Sequence, residues 1–411
     1  MWIVRADRSA PERPPMLALA LLTLSAMQES APRHWEHVLV RHHTFEDFFA
    51  GGMASAYRAE LNADAPVRLN TGAIPGSTEQ IDQLWAQDPA NLAGWLDGFY
   101  ESTELYVTGG FEEALVSWNA SVPEGTGMCL ELRVRENGKS PWSPWLYVGD
   151  WGTVTPPPLY LRKDDPGGPK VDASAPLRTE FEGGKVDVDF FVSTRTWGRA
   201  QYRVRTTTAE PAKSRPVLLR SVALCFSRRV DGPIPAHAPA LERRIEVPFR
   251  SQKTEKPEIA GRICSPTSVA MLLEHRGVSN STQQVADLLF DRRHDIYGNW
   301  TRAVQGAYEL GVPGYLARFG DWKSVEGSIA SGQPLVISIA AKQGELVGAP
   351  YESTAGHLLV LTGFDGKGGV HVNDPAVADA AAGARTYSRT DLERVWMARG
   401  GTSYVLLPKA K

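Results

Sequence analysis

A proline-rich segment near the middle of the chain restricts the fold most, because the sequence changes character on either side of it. Residues 231–239 contain three prolines in nine positions, a composition typical of an extended linker. Before this segment, short apolar runs alternate with turn signals, which predicts a mostly β, sandwich-like domain over residues 34–230. After it, helical patterns precede strand-like ones, which predicts an α+β domain over residues 243–411, with residues 231–242 as the linker. A chain of 411 residues is long enough for both domains.

The strand-like runs of the first domain are short, alternating or rich in aromatic residues, and bounded by turn signals. They cover residues 104–108, 114–118, 129–135, 186–192, 201–205 and 217–224. A series of short strands at such spacing favours an antiparallel sandwich.

Capping residues predict where three helices of the second domain begin. These helices begin at or directly after Ser281 or Thr282, Asn299 and Asp321. A helix-like run predicts an earlier helix that begins at Cys264 and ends near His275. The strands that follow are predicted at residues 335–339, 357–363, 369–373 and 404–407. This order predicts helices packed on an antiparallel sheet.

The N-terminus has the pattern of a secretory signal peptide. Arg5, Arg8 and Arg13 precede an apolar run at residues 16–24, which is too short to span a bilayer. We therefore expect residues 1–30 to be a signal peptide, with a disordered extension as the alternative. An exported, soluble protein in the periplasm or outside the cell follows from this interpretation. No other stretch reaches membrane-spanning length, so we expect no span in the mature chain.

Charge and cysteine content exclude some classes of protein. The formal net charge of −3 provides no basic field, which argues against nucleic acid as a partner. Three cysteines are too few for a disulfide scaffold. Cys129 and Cys225 could pair and leave Cys264 free, but nothing in the sequence decides whether they do.

Two groups of residues in the first domain could bind a ligand. The first group is four histidines, His34, His37, His42 and His43. They lack cysteines or acids at ligand spacing, so we expect an exposed terminal segment, no metal site and no cofactor. The second group is four tryptophans, Trp118, Trp142, Trp145 and Trp151. Packing in a sandwich explains them better than a sugar-binding face does, although a cell-surface or glycan ligand stays open for this domain.

The second domain carries residues that suit a cysteine nucleophile. Cys264 stands at a predicted helix start, and a reactive thiol needs its pKa lowered by about 1–5 units, each worth about 1.4 kcal/mol. A helix N-terminus contributes only about 0.3–1 kcal/mol, or about 2 when partly buried. The larger shifts therefore require a nearby imidazolium, and His357 is the candidate base.

The hairpin that follows brings an acid to the same histidine. If residues 365–368 turn the hairpin symmetrically, Asp374 lies opposite Leu359, and His357 lies two residues further along the same face. Diagonal neighbours of this kind are about 7–8 Å apart at their backbones. His371, the rival base, then falls on the opposite face, and a bulge would undo this inference.

Four segments in this domain resemble the C39-like peptidase family of the papain-like cysteine peptidases, over about residues 247–408. The segments are residues 247–252, 264–271, 356–364 and 372–375. The resemblance implies a papain-like fold with Cys264 as nucleophile, His357 as general base and acid, and Asp374 as the orienter of the imidazole. It also implies that Gln252 donates to the oxyanion beside the backbone N–H of Cys264.

Two positions depart from the family pattern. Ser265 stands directly after the cysteine, where members often have glycine. Gln252 lies twelve residues before Cys264, a long spacing that requires residues 253–262 to loop out.

These residues predict an exported cysteine peptidase that hydrolyses peptide bonds in a peptide or protein substrate, with a β-rich accessory domain. Two alternatives keep the same site. One is a peptidase-like protein that binds peptides without cleaving them. The other is a cysteine acyltransferase or transpeptidase in which an amine replaces water.

Overall fold

The computed structural model describes most of the chain beyond its N-terminal segment. The described residues are 32–43, 47–48, 59–62, 65–69, 96–155, 159–160, 170–171, 177–208, 217–254 and 256–408. The predicted signal peptide, residues 1–30, lies outside them. Of the helices in this part of the chain, none has both the length and the apolar character that crossing a membrane requires.

Strands make up nearly all the regular structure among the described residues of the first domain. They are β1 (Arg33–His42), β2 (Ala59–Asn62), β3 (Ala65–Leu69), β4 (Leu96–Glu101), β5 (Leu105–Ser121), β6 (Thr126–Arg135), β7 (Leu146–Gly152), β8 (Leu159–Tyr160), β9 (Lys170–Val171), β10 (Glu180–Phe181), β11 (Gly184–Asp187), β12 (Phe190–Thr208) and β13 (Val217–Asp231). Within the described residues, eleven strands form one sheet, and β8 pairs with β9 separately. The main path of the sheet is β10-β11-β12-β5-β13-β3-β2. The prediction of a mostly β first domain is confirmed.

The long strands of this sheet change partners along their length. β12 pairs with β5 near its start and with β6 and β4 near its end. The pairing of β5 with β12 jumps from Phe111 to Tyr106, and Gly109 and Gly110 between them both have a φ of 79°. Because glycine adopts that left-handed conformation without steric cost, these two residues permit the bulge in the pairing of β5 with β12.

Strand β1 corrects the expectation of an exposed terminal segment. It pairs with β13 over its whole length, from Arg33 opposite Asp231 to His42 opposite Val222. His42 is buried, and its Nδ1 lies 2.8 Å from the Tyr202 hydroxyl. The expectation was wrong because the partner strand lies far away in the sequence, where a local pattern gives no sign of it.

The second domain combines helices with a second sheet. Its elements are β14 (Glu242–Arg244), α1 (Cys264–His275), α2 (Thr282–Leu289), α3 (Trp300–Glu309), β15 (Gly314–Arg318), α4 (Trp322–Ala330), β16 (Leu335–Ala341), β17 (Thr354–Asp365), β18 (Gly369–Asn373), α5 (Ala380–Gly383), β19 (Ala384–Ser388), α6 (Arg389–Val395) and β20 (Thr402–Leu406). In the described residues the sheet has seven strands in the order β15-β20-β16-β17-β18-β19, with β14 added at β17. Every pair in it is antiparallel.

Side-chain caps explain where three helices begin. Ser281, Asn299 and Asp321 each accept a hydrogen bond from a backbone N–H in the first turn of α2, α3 and α4, respectively. These bonds satisfy donors that a helix start otherwise leaves unpaired. Helix α1 has no side-chain cap, but its residues are buried without interruption from Ser265 to Leu273. Tertiary packing therefore fixes the position of α1.

The two sheets meet across a buried polar interface. Gln305 in α3 is fully buried, its Oε1 accepts from the Ala120 backbone N–H at 2.9 Å, and its Nε2 donates to the Ala120 carbonyl at 2.8 Å. One amide side chain thus satisfies both backbone groups of a residue in β5. Next to it, Thr301 donates to the Val116 carbonyl at 2.7 Å.

Strand β15 adds further contacts to β5. The backbone N–H of Leu316 donates to Ser117 Oγ at 2.9 Å, and that of Gly314 donates to Asn119 Oδ1 at 3.0 Å. Leu115 of the first sheet belongs to the same buried cluster as helix α1. The proline-rich segment therefore connects two closely packed bodies.

Candidate active site

Cys264 is the first residue of α1 and keeps partial exposure to solvent. The residues around it hold the first turn of the helix against the sheet. Ser265 Oγ lies 3.0 Å from the Tyr404 hydroxyl on β20, and Ser268 Oγ donates to the Leu358 carbonyl on β17 at 3.1 Å. Ser265, which replaces the glycine frequent in the family, thus has a buried partner of its own. These two contacts hold the first turn of α1, which carries the thiol, against β20 and β17.

His357 and Asp374 are in direct contact. His357 lies on β17 and is 5 % exposed, and its Nε2 lies 2.8 Å from Asp374 Oδ1. Val360 pairs with Asn373, which is the register of a symmetric hairpin. A bulge does occur, but it falls beyond Leu361, on the side of the turn, and leaves the register at His357 unchanged.

The second imidazole nitrogen faces the thiol, since the Cys264 side chain is hydrogen-bonded to His357. Because Nε2 is occupied by Asp374, this contact falls to Nδ1. The structure therefore brings the three residues together in one line: thiol, imidazole, carboxylate. His371 lies apart from it, and its Nδ1 is 3.0 Å from Thr386 Oγ1.

Opposing effects act on the pKa values of these three groups. Burial by itself raises the pKa of the Cys264 thiol, but the hydrogen bond and charge of His357 outweigh it, and the pKa lies below its ordinary value. Burial by itself lowers the pKa of His357, but hydrogen bonds to Asp374 and Cys264 raise it to about 10. Burial raises the pKa of Asp374, and the contact with His357 brings it below its ordinary value. The three directions agree on one charge state: thiolate, imidazolium and carboxylate.

The carboxylate of Asp374 is completely buried and has several hydrogen-bond donors. Oδ1 accepts from His357 and from the Ala376 backbone N–H at 3.0 Å. Oδ2 accepts from the hydroxyls of Tyr351 at 3.2 Å and Tyr387 at 3.1 Å. The sequence analysis did not find these two tyrosines. Tyr351 lies in the segment between β16 and β17, and Tyr387 lies in β19. Both reach Asp374 through tertiary packing, which no local sequence motif indicates.

Gln252 begins a short 3₁₀ turn, residues Gln252–Thr254, and is 5 % exposed. Its backbone N–H donates to the Pro375 carbonyl at 3.0 Å, which fixes it beside the residue after Asp374. Its side-chain Oε1 is buried and has no hydrogen-bond partner. Residues 257–262, between Gln252 and Cys264, form turns, which provides the loop that the long spacing requires. Donation by Gln252 to an oxyanion stays a prediction.

The other candidate groups have structural contacts. His37 Nδ1 lies 2.9 Å from Ser227 Oγ, and the described residues hold no cluster of three or more histidine, cysteine or acidic residues able to bind a metal ion. Trp118 is buried, whereas the rings of Trp142 and Trp145 are covered by the Arg133 guanidinium at 4.8 and 4.3 Å. Those contacts give no support to a glycan-binding face.

All three cysteines of the chain are free thiols. Cys129 and Cys225 are both buried in the sheet of the first domain. The disulfide that the sequence left open is therefore not present.

Two solved structures to which the chain is similar are a protease and a peptidase domain from transporters. One is a double glycine motif protease from an AMS/PCAT transporter in complex with the leader peptide, with 18% identity, a TM-score of 0.27, and coverage of 42% of this chain and 99% of that chain. Another is the peptidase domain of Streptococcus ComA, a bi-functional ABC transporter of a quorum sensing pathway, with 17% identity, a TM-score of 0.25, and coverage of 36% and 93%. No curated protein matches the chain.

Two family models match the chain, one in each domain. Residues 39–227 match the Peptidase C39 N-terminal domain. Residues 244–404 match the Peptidase C39-like family, which confirms the resemblance predicted from the motifs. The similarity of this chain to the Peptidase C39-like family therefore covers residues 244–404.

Proposed function

We propose that the protein is an exported cysteine peptidase that cleaves peptide bonds with Cys264, His357 and Asp374. The observation that carries the proposal is the buried hydrogen-bonded line from thiol to imidazole to carboxylate, in which the thiol pKa is lowered although burial opposes it. A thiolate is the reactive form of cysteine, so a site that lowers the pKa of the thiol suits nucleophilic attack.

The reaction would begin with the Cys264 thiolate. Its sulfur attacks the carbonyl carbon of a peptide bond, and the electron pair of the carbonyl moves to oxygen. The backbone N–H of Cys264 and the Gln252 side chain hold this oxyanion. His357 then gives its Nδ1 proton to the leaving amine, which departs and leaves an acyl-enzyme.

Hydrolysis of the acyl-enzyme would complete the cycle. His357, now neutral, takes a proton from water, and the hydroxide formed attacks the thioester carbonyl. The thiolate leaves, and the product acid is released. Asp374 holds the imidazole in the tautomer that each proton transfer needs, and its charge stabilises the imidazolium.

The proposal also assigns a role to each segment of the chain. Residues 243–411 act as a papain-like peptidase domain and residues 34–230 as a sandwich-like accessory domain, joined by the linker at 231–242. Residues 1–30 direct export, and a peptide or protein is the substrate.

The test is amide hydrolysis by the purified protein and its Cys264→Ala variant. A mixture of internally quenched peptides of randomised sequence serves as the probe, and mass spectrometry identifies the products. We expect cleavage by the wild type and a loss of at least about a thousand-fold in the variant. Cys129→Ala, which removes a thiol buried in the first domain, is the matched control and should cleave like the wild type.

Product analysis separates the alternatives. Free carboxylic acids at the new C-termini support a peptidase. New amides formed when an amine such as glycinamide is added would instead indicate an acyltransferase. Hydrolysis that persists in Cys264→Ala, or binding of the peptides without cleavage by the wild type, would contradict the proposal.

A further inference from the structure

The oxygen of Asp374 that faces away from His357 has an unusual environment. Two hydroxyls from different segments, Tyr351 and Tyr387, donate to Oδ2 at 3.2 and 3.1 Å. Orienting a histidine requires only one carboxylate oxygen, which is Oδ1 here. The two hydroxyls therefore bind the oxygen that is not needed for the contact with the histidine, and they fix the rotation of the carboxylate about its side-chain bond.

Tyr351 also contacts the histidine itself. Its ring packs edge-on against the His357 ring, with centroids 5.0 Å apart and an interplanar angle of 67°. One side chain thus touches both the imidazole and the carboxylate.

The segment that carries Tyr351 is held firmly against the domain. It joins β16 to β17, and arginines from later in the chain bind it. Arg385 in β19 donates to the Gly348 carbonyl at 2.5 Å, and Arg394 in α6 donates to the Glu345 carbonyl at 3.0 Å. Arg399 also binds the Glu345 carboxylate at 2.9 Å. These contacts tie the segment to β19 and to the region around α6.

The strand that carries Tyr387 is fixed as well. β19 pairs with β18, in which Val370 lies opposite Tyr387, and the tyrosine is 2 % exposed. Burial, followed by the charge of Asp374, raises the pKa of both tyrosines far above their ordinary value. Both hydroxyls therefore keep their protons over the pH range in which a thiolate and an imidazolium coexist. Both can donate to the carboxylate throughout this pH range.

We propose that Tyr351 and Tyr387 are positioning residues of the peptidase site, whose hydroxyls hold Asp374 ionised and turned so that Oδ1 faces His357. This inference rests on the proposed function. Hydrogen bonds to a charged carboxylate favour its ionised form, so their removal raises the pKa of Asp374. A protonated Asp374 no longer stabilises the imidazolium, and the thiolate is then lost at a higher pH than in the wild type.

The experiment compares the rate of Cys264 alkylation by iodoacetamide from pH 4 to 9 in the full chain. The variants are Tyr351→Phe, Tyr387→Phe and the double variant, with Asp374→Asn as the reference for a lost carboxylate. Tyr308→Phe is the matched control, since it removes a hydroxyl that lies 3.2 Å from Ser121 Oγ at the domain interface.

We expect the acid limb of the profile to move upward by about one pH unit in each single variant and further in the double variant. Above that limb the rates should return to those of the wild type, because Asp374 is then ionised again. Recovery at higher pH is the signature of a positioning role, since structural damage lowers the rate at every pH. The Tyr308→Phe profile should overlie that of the wild type.

Two other outcomes overturn the inference, and they differ in what they say of the proposed function. If the tyrosine variants follow the wild-type profile, or lose rate equally at every pH, while Asp374→Asn shifts the limb, the positioning role is wrong and the peptidase site stands. If the wild-type thiol itself shows no reactivity below pH 8, both the inference and the proposed function are wrong.

Discussion

The three free thiols of this chain are surrounded by different groups, and their acidities differ accordingly. Cys129 and Cys225 lie in the first sheet, where burial raises the pKa of both, that of Cys225 to about 11, although Arg205 and Arg318 are near enough to lower them. Cys264 is desolvated too, yet its pKa lies below the ordinary value. The difference is the direct hydrogen bond from His357. A cation in the neighbourhood does not offset the cost of burying a thiolate, whereas one bonded to the sulfur does.

The pKa values of two buried carboxyl groups, Asp374 and Asp189, differ in the same way. Asp374 has an imidazolium and two hydroxyls among its donors, and its pKa is lowered. Asp189 lies between the two sheets, where burial raises its pKa to about 7, the backbone N–H of Trp300 acts against this, and the charge of Asp291 adds to it. A helix N-terminus alone is thus too weak to keep a buried carboxyl ionised.

Labelling of the thiols at pH 6 tests the difference in acidity between Cys264 and the other two cysteines most strongly. Brief exposure of the native protein to iodoacetamide should modify Cys264 at least about a thousand times faster than Cys129 or Cys225, because the other two are both buried and protonated. Peptide mapping by mass spectrometry measures the three rates. In denaturant all three should react at similar rates, and equal labelling of the native thiols would contradict the account.

A smaller effect, on the stability of the fold, is expected from the titration of the Asp189 carboxyl group. The folded-state pKa of Asp189 is about 7 against an ordinary 3.8, so the folded protein binds this proton more tightly than the unfolded chain does. Its contribution to stability is complete below about pH 4 and is lost as the pH rises to about 7, a change on the order of 4 kcal/mol at most. Asp189→Asn removes this titration and keeps an oxygen that can accept from Trp300.

The measurement is the thermal unfolding midpoint at pH 4, 5.5, 7 and 8. The midpoint of the wild type relative to Asp189→Asn should fall by several degrees between pH 4 and 8. Asp231→Asn, on the exposed surface, serves as the control and should stay parallel to the wild type. A constant difference between the wild type and Asp189→Asn would show that the carboxyl does not titrate in this range.

The turn that holds Asp189 supports a structural role for it. Val188, just before it, has a φ of 64°, a conformation that a β-branched residue rarely adopts. The Asp189 backbone N–H donates to the Asp187 carbonyl at 2.8 Å across this residue. The strained turn places the carboxyl against the start of α3, where it accepts the Trp300 N–H, and so links the first sheet to the second domain.

Features with a local cause could be predicted from the sequence. The caps at Ser281, Asn299 and Asp321 depend on residues within one turn. The register of Val360 with Asn373 depends on a short hairpin loop. In each case the deciding contacts lie close together in the chain, so a pattern of a few residues determines the outcome.

Features that depend on distant parts of the chain could not be predicted. Tyr351 and Tyr387 reach Asp374 only because a connecting segment and strand β19 pack beside β18, and neither carries a motif. The pairing of Arg33–His42 with a strand almost two hundred residues later, and the insertion of Gln305 beside Ala120, have the same origin. Such contacts follow from tertiary packing, which overrides local propensity.

The central claim is that His357 activates Cys264, and the rate of Cys264 alkylation against pH in the wild type and in His357→Ala tests it most directly. The account predicts a wild-type thiol that is reactive well below pH 8, because its pKa is lowered by the hydrogen bond and charge of the imidazolium. In His357→Ala the burial of the thiol remains without its compensating cation, so the reactivity at low pH should disappear. A thiol that is inert, or that reacts like free cysteine in both proteins, would contradict the account.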